Sequence, residues 1–421
     1  MKILSIALGL SVLTSPALAD IQVGRGTVSA TATATATYDS NVFGTHDATS
    51  DYYGTLAPGV SYIRKSGLIE ADADAGISFI RFLNQTQLNA NNLSADGALR
   101  INPSDLRNYS GSLTASYLET SEVNTDINTR LNTDTTTFTG QTALVIGPRS
   151  DLSLSGNYTD SQYSGAGDQE ILTAETLYEY KDFFYGNSLR LAGDYDKLHA
   201  SANNYLGVPL DQNSYTLSAG IGRAFYHDAI HAWISYGYRV LNRSQAETST
   251  GATQQRGSVI TASLEGPFLP EKYFPKIKSG IELSYEDAAT PGVNDTGGKE
   301  LTGALHMDWQ ARDTTVVSFL ATRAQRLSAN DLTVVSTAVQ LGLKQQLRYN
   351  LTGSLSAGYN WDTYRGISRS DQTILCSAGL EYHFARSWTA NASYKLSSDA
   401  SNQRESTYDR NVVSVSVTYQ F

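Results

Sequence analysis

The last nine residues alternate without a break. Val413, Val415, Val417, Tyr419 and Phe421 are apolar, and Ser414, Ser416, Thr418 and Gln420 between them are polar. A period of two puts the first set on one face of a β-strand and the second on the other. The same alternation sets Leu351, Gly353, Leu355, Ala357, Tyr359 and Trp361 against Thr352, Ser354, Ser356, Gly358, Asn360 and Asp362. It recurs where Ile374, Cys376, Ala378, Leu380, Tyr382 and Phe384 oppose Ser377, Gly379, Glu381 and His383. A weaker first strand runs to Tyr38, with alanines and threonines in alternation.

Aromatic residues end these apolar rows at a near-regular interval. Tyr38, Tyr117, Tyr158, Tyr195, Tyr238, Tyr285, Trp361 and Tyr394 recur roughly every 40 residues, with two gaps that each fit one missing member. Polar breaks fall between them: Lys65-Ser66-Gly67, Asn102-Pro103-Ser104-Asp105, Pro148-Arg149-Ser150, His227-Asp228, Arg312-Asp313 and Arg386-Ser387. The interval predicts hairpins with short turns at one rim and longer loops at the other. The fold class is therefore all-β: a closed antiparallel transmembrane β-barrel of about 20 strands, with 18 possible, over residues 27–421. A second aromatic ring is expected at the short-turn rim, from Tyr62, Tyr178, Tyr180, Trp309, Tyr382, Phe384, Trp388, Tyr419 and Phe421. A soluble sandwich would also alternate, but two girdles around an apolar band are what lipid interfaces favour.

The N-terminus reads as a secretory signal peptide over residues 1–19. Lys2 supplies the charge, Ile3 to Leu13 the apolar stretch and Ala17-Leu18-Ala19 the small residues before cleavage. Residues 20–26 would be a short periplasmic segment. No later apolar run is long enough for a membrane helix, so a membrane location requires a barrel. The single cysteine, Cys376, excludes an intramolecular disulfide and any paired-cysteine metal site. The 41 acidic and 31 basic residues are scattered rather than blocked, which argues against nucleic acid as a partner.

Three segments carry a family likeness: Tyr38-Asp39-Ser40-Asn41-Val42-Phe43 after the first strand, Tyr52 to Tyr62 with Pro58-Gly59, and the terminal Tyr419-Gln420-Phe421. They resemble the beta-barrel porin-2 family of Gram-negative outer-membrane proteins, some encoded beside exopolysaccharide biosynthesis genes. The resemblance implies an outer-membrane barrel in contact with lipid and lipopolysaccharide, and it supplies no catalytic residues. Val417, Tyr419 and Phe421 resemble the closing strand that the barrel-assembly machinery recognises.

A barrel this wide can hold a water-filled lumen, and its inward side chains then set selectivity. Alternation turns Glu70, Asp72, Asp74, Glu175, Glu179, Asp194, Asp196, Glu282, Glu286, Asp362 and Glu381 inward. It turns Arg190, Arg239, Lys276, Lys278 and Lys344 the same way. The acid surplus predicts a weak preference for cations or neutral solutes; alternatively these charges only keep the lumen wet. Glu70, Asp72 and Asp74 stand about 7 Å apart along one strand, too far to converge on a metal without a partner strand. Asn294-Asp295-Thr296-Gly297-Gly298 and Asp39-Ser40-Asn41 are explained equally by turn chemistry and by surface ion binding.

No cofactor is expected, and no enzyme. Ser235 shares a face with His231 but is about 13 Å away along the strand, and neither a Gly-x-Ser-x-Gly element nor a His-Glu-x-x-His run occurs. The function expected is passive passage of small hydrophilic solutes. The alternatives are a barrel assisting polysaccharide export, or a structural or adhesive surface barrel. Residues 119–133, with Glu119, Glu122 and Asp126, could fold inward as a constriction or project outward.

Overall fold

The computed structural model describes residues 21–65, 67–101, 108–124, 126–127, 129–201, 210–226, 229–243, 254–267, 276–289, 298–329 and 332–421. The predicted signal peptide, the loop at 294–297 and the turns at 102–105 and 227–228 lie outside these residues.

The alternating stretches are strands. The first half of the chain forms β1 (Ile21–Val23), β2 (Gly26–Asp39), β3 (Asp51–Arg64), β4 (Ile69–Phe82), β5 (Ala90–Ile101), β6 (Tyr109–Asn124), β7 (Thr129–Gly147), β8 (Ser150–Tyr163), β9 (Gln169–Phe184) and β10 (Asn187–Ala200). The second half forms β11 (Leu210–Phe225), β12 (Ile230–Arg243), β13 (Gln254–Glu265), β14 (Ile277–Ala289), β15 (Gly298–Arg312), β16 (Thr315–Leu327), β17 (Thr333–Arg348), β18 (Leu351–Tyr364), β19 (Arg369–Ala385), β20 (Trp388–Ser401) and β21 (Tyr408–Gln420). Each strand from β2 onward pairs antiparallel with the next, and β2 also pairs with β21 through Thr33↔Thr418 and Tyr38↔Val413. The result is a closed 20-strand antiparallel barrel. Closure leaves no sheet edge in the band facing lipid, where an unpaired backbone group would be costly.

The segment before the barrel is itself a strand. β1 pairs with the start of β2 (Ile21↔Val28), on the edge that continues below the end of β21. Gly26, in this hairpin, has no room for a side chain, because a Cβ there would lie 2.3 Å from the Tyr62 ring.

β2 starts and β21 ends at one rim, where the short turns lie. One of those turns, at 185–186, has no polar side chain of the kind that marks the other breaks. Tyr185 (φ 49°) and Gly186 (φ 76°) are both left-handed, the geometry of a type I′ hairpin turn, which follows strand twist and tolerates the preceding aromatics.

The outer face is apolar, with Leu217 at 73% and Leu355 at 55% exposure. So much exposed aliphatic surface suits a bilayer, not water. Aromatic pairs bound it at both rims. At the loop rim, Tyr38–Tyr52, Tyr195–Tyr215 and Tyr359–Trp361 have ring centroids 4.9, 5.0 and 4.2 Å apart. At the turn rim a continuous row runs Tyr382–Phe384–Trp388–Tyr419–Phe421, with spacings of 6.2, 5.9, 4.6 and 4.5 Å. Tyr52 and Tyr62 sit at opposite ends of the outer row of β3. Ten residues at 3.3 Å, tilted by about 40°, give a band of roughly 25 Å, the height expected for an outer-membrane barrel.

Candidate functional site: the lumen and its mouth

The concave face is identified by side chains that reach across an intervening strand. Arg239 on β12 meets Glu286 on β14 at 2.7 Å and Asp196 on β10 at 3.5 Å. Curvature brings side chains two strands apart together only on the inside. Registry carries that face around the wall: Asp194 lies opposite Glu175 and Thr216, and Arg190 opposite Glu179. Glu282 lies opposite Ser263 and Ala304, Lys344 opposite Ser354, and Asp362 opposite Asp371. Glu70, Asp72 and Asp74 face Arg100, Ala98 and Asp96 of β5.

One residue assigned to the lumen is elsewhere. Lys276 precedes β14 with φ 58°, and its Nζ lies 2.8 Å from Asp313 in the β15–β16 turn. The alternation does not extend past the strand end, so Lys276 is a rim residue. Its ammonium holds the Asp313 carboxyl below the ordinary value. Several inward charges had not been singled out in the sequence: Asp96, Arg100, Lys278's partner Asp308, Asp371, Lys395 and Asp399. The Ala95-Asp96-Gly97-Ala98-Leu99-Arg100 alternation would have shown two of them.

The wall below the loop rim is wet and unevenly paired. Arg100 bonds Asp72 at 2.6 Å, and Arg190 bonds Glu179 at 3.1 Å while its guanidinium lies 3.5 Å over the Trp233 ring. Trp233 lies flat over Gly222, where a Cβ would be 2.2 Å from the indole. Asp74 and Asp96, and Glu175 and Asp194, face each other as like charges with no ion pair among the described residues. Asp74, Glu175, Glu282, Lys344 and Glu381 are all exposed to solvent in this lumen. Among the described residues, no group of three or more His, Cys, Asp or Glu could hold a metal ion. His383, an inward histidine, bonds Glu381 and Thr389, each at 2.9 Å.

The loop rim is different: most of the buried residues lie there. The Asp39-Ser40-Asn41-Val42 segment folds over the mouth, with Asp39, Asn41 and Val42 completely buried. Arg410 bonds Asp39 (2.7 Å), and the Asn41 carboxamide bonds Thr45 O, Gly44 N and Asp409 O. The described residues of the 119–133 stretch take the inward alternative. β5 pairs with β6 only up to Leu118, and β8 pairs with β7 only from Thr133. The ends of β6 and β7 therefore form a two-stranded ribbon, paired from Glu119↔Asp134 to Asn124↔Thr129 and clear of both wall ladders from Ser121↔Asn132 outward.

The ribbon leans across the opening. Arg130 donates to Val42 O (2.9 Å), with its other arm 3.9 Å from Asp39. Leu131 packs with Ala166 and with Ala329 from the β16–β17 loop. At the tip, Asp126 accepts two hydrogen bonds of 2.8 Å from Arg326 and one of 2.9 Å from Tyr364, while its carbonyl accepts from Arg369. Arg369 is itself paired with Asp371 (2.6 Å) and lies over the Tyr364 ring. Above these contacts a cavity of about 990 Å³ opens between the loops, lined in part by His46, Asp126, Tyr364, Arg369 and Glu405.

A closed antiparallel barrel with an apolar outer band, two aromatic girdles and a polar lumen is an outer-membrane β-barrel. The family described as Putative beta-barrel porin 2 matches residues 284–421, from within β14 to the last residue. No curated protein sequence matches the chain. Among solved structures, the FrpB iron transporter from Neisseria meningitidis is similar over 93% of this chain and 81% of that one, with a TM-score of 0.52 at 8% identity. The ferric-catecholate import receptor Fiu from E. coli K12 is similar over 93% and 81%, with a TM-score of 0.51 at 7% identity. At these identities the likeness is one of fold.

Proposed function

We propose that this protein is a channel of the Gram-negative outer membrane for small hydrophilic solutes, weakly favouring cations or neutral molecules. The observation that carries this reading is the solvated wall in which Asp74 faces Asp96 and Glu175 faces Asp194 with no ion pair among the described residues. Fixed, unpaired carboxylates raise the local concentration of cations and repel anions. Transport rather than catalysis also accounts for His383, which is held between Glu381 and Thr389 as a wall residue. The partners that follow are outer-membrane lipids, lipopolysaccharide at the loop rim, and the assembly machinery at the β21 end.

The test is the reversal potential of single channels in a planar bilayer under a potassium chloride gradient. A potential of the sign set by potassium flux is expected; one set by chloride would overturn the lumen assignment.

A further inference from the structure

The β6–β7 ribbon has a feature that passive passage does not require. β6 and β16 stand half the circumference apart in the closed barrel, so a ribbon rooted at one wall and bonded to the other must cross the mouth. Its four outer pairs, Ser121↔Asn132 to Asn124↔Thr129, stand clear of both wall ladders and span about 13 Å. Over those four pairs neither edge is laddered to the wall, Asn132 alone being bonded to Ser164 at the end of β8 (2.9 Å), and an isolated two-stranded ribbon is marginally stable by itself. Beyond the Asn132–Ser164 bond, its position is therefore set by what its side chains touch. Those contacts come from three directions: Asp39 and Val42 on Arg130, Ala166 and Ala329 on Leu131, and the Arg326, Tyr364 and Arg369 group on Asp126.

We propose that this ribbon is a latch that shuts the channel at rest, with Asp126 as its catch. The proposal rests on the channel reading. The catch is built to release without damage to the wall. When Asp126 leaves, Arg326 keeps Asp362 at 3.0 Å and Arg369 keeps Asp371 at 2.6 Å, so neither guanidinium is stranded without a carboxylate. The walls on both sides retain their ladders, because the β5–β6 pairing stops at Leu118 and the β7–β8 pairing stops at Thr133, short of the four outer pairs of the ribbon. Swinging these four pairs aside breaks side-chain contacts and the bonds between Asn132 and Ser164, but no ladder pair between ribbon and wall.

The experiment compares three proteins in planar bilayers, each first shown to be folded by its heat-modifiable migration on a gel. The first is Asp126→Ala, expected to raise open probability at least tenfold over wild type. The second adds Ile127→Cys and Ala329→Cys to Asp126→Ala, with Cys376→Ser to remove the native thiol. Ile127 packs against the cluster containing Ala329, so oxidation is expected to close this channel and reduction to reopen it. The third replaces residues 120–133 by Asn-Gly, which joins the paired Glu119 and Asp134 through a two-residue turn. It is expected to conduct continuously. If it conducts while the first two behave as wild type in either redox state, the latch is overturned and the channel stands. If even this ribbonless barrel never conducts, the channel reading itself fails.

Discussion

Asp126 and Arg326 are 200 residues apart in the chain and half a barrel apart in the wall, yet two hydrogen bonds of 2.8 Å join them. The carboxylate is nearly buried, at 8% side-chain exposure, and the guanidinium is 37% exposed. A bidentate pair of this kind fixes direction as well as distance, because the planar fork of arginine accepts the carboxylate in one orientation. It therefore does more than attract the ribbon: it sets where the tip rests. The charged groups of the mouth stay close to neutrality through local pairs, Asp39 with Arg410 and Asp371 with Arg369, which keeps their burial tolerable.

Lumen selectivity should respond to Arg239. It alone bridges Asp196, Ser214 and Glu286, and removing it frees two carboxylates at once. Arg239→Gln, placed in the ribbonless barrel so that conductance is measurable, is expected to raise the potassium-to-chloride permeability ratio severalfold. Asp194→Asn is expected to lower it. The ratio is read from reversal potentials at low salt, where screening is weakest. Unchanged ratios in both variants would mean that these charges only hydrate the wall.

Loop docking should depend on Gly44. Its φ is +66°, and a Cβ there would lie 2.1 Å from a methyl of Val123 on the ribbon. Gly24 has a similar φ of +63° with nothing within 4 Å. Both alanine variants carry the left-handed strain of about 1 kcal/mol, so their difference isolates the clash. Gly44→Ala is expected to free the 40–50 loop to added protease in whole cells, with the barrel itself still heat-modifiable. Gly24→Ala should leave that loop as protected as in wild type.

How much of this was legible follows from the range of each signal. Strand faces were, because a period of two writes inside and outside directly into sequence, as in Leu355 and Ser356. The turn at Tyr185-Gly186 was not, since left-handed backbone rather than polarity makes it. Lys276 was misplaced because alternation gives no sign of where a strand stops. The Asp39-Ser40-Asn41-Val42 run was visible as a motif, but its burial over the mouth depends on Arg410 and Arg130, which are distant in sequence. The inward fold of residues 119–133 depends on partners on the far wall, and a single sequence carries no record of such a pairing.

The β21 terminus makes a prediction about assembly. Phe421 N donates to Ala30 O at 2.8 Å, and its ring meets Tyr419 edge-on at 4.5 Å, ending the turn-rim girdle. Deleting Phe421 removes one closing hydrogen bond and one interfacial ring, a small loss for a ladder that runs from Thr31↔Gln420 to Asp39↔Val412. Refolding into detergent is expected to survive the deletion. In cells the same protein should accumulate unfolded in the periplasm if the terminal aromatic is what the assembly machinery reads. Equal membrane yields of the two proteins in cells would remove that role.

The face assignment itself is tested by two arginines one residue apart. Leu355 lies mid-strand on the outer face, between Leu343 and Ala378. Ser356 points the other way, its hydroxyl 2.7 Å from that of Ser377 with Gly342 opposite on the other side, leaving a long side chain room to extend into the lumen. An arginine at the bilayer midplane of a barrel costs roughly 2–4 kcal/mol, whereas a lumenal one remains in water. Leu355→Arg is therefore expected to cut the folded fraction in lipid vesicles sharply and to lower the urea midpoint. Ser356→Arg should lose one hydroxyl–hydroxyl bond, about 1 kcal/mol, and still assemble. The two variants add the same charge within one strand, so composition, expression and charge repulsion cancel between them. Equal losses would place both residues in the same environment, and the lipid-facing band would have to be reassigned.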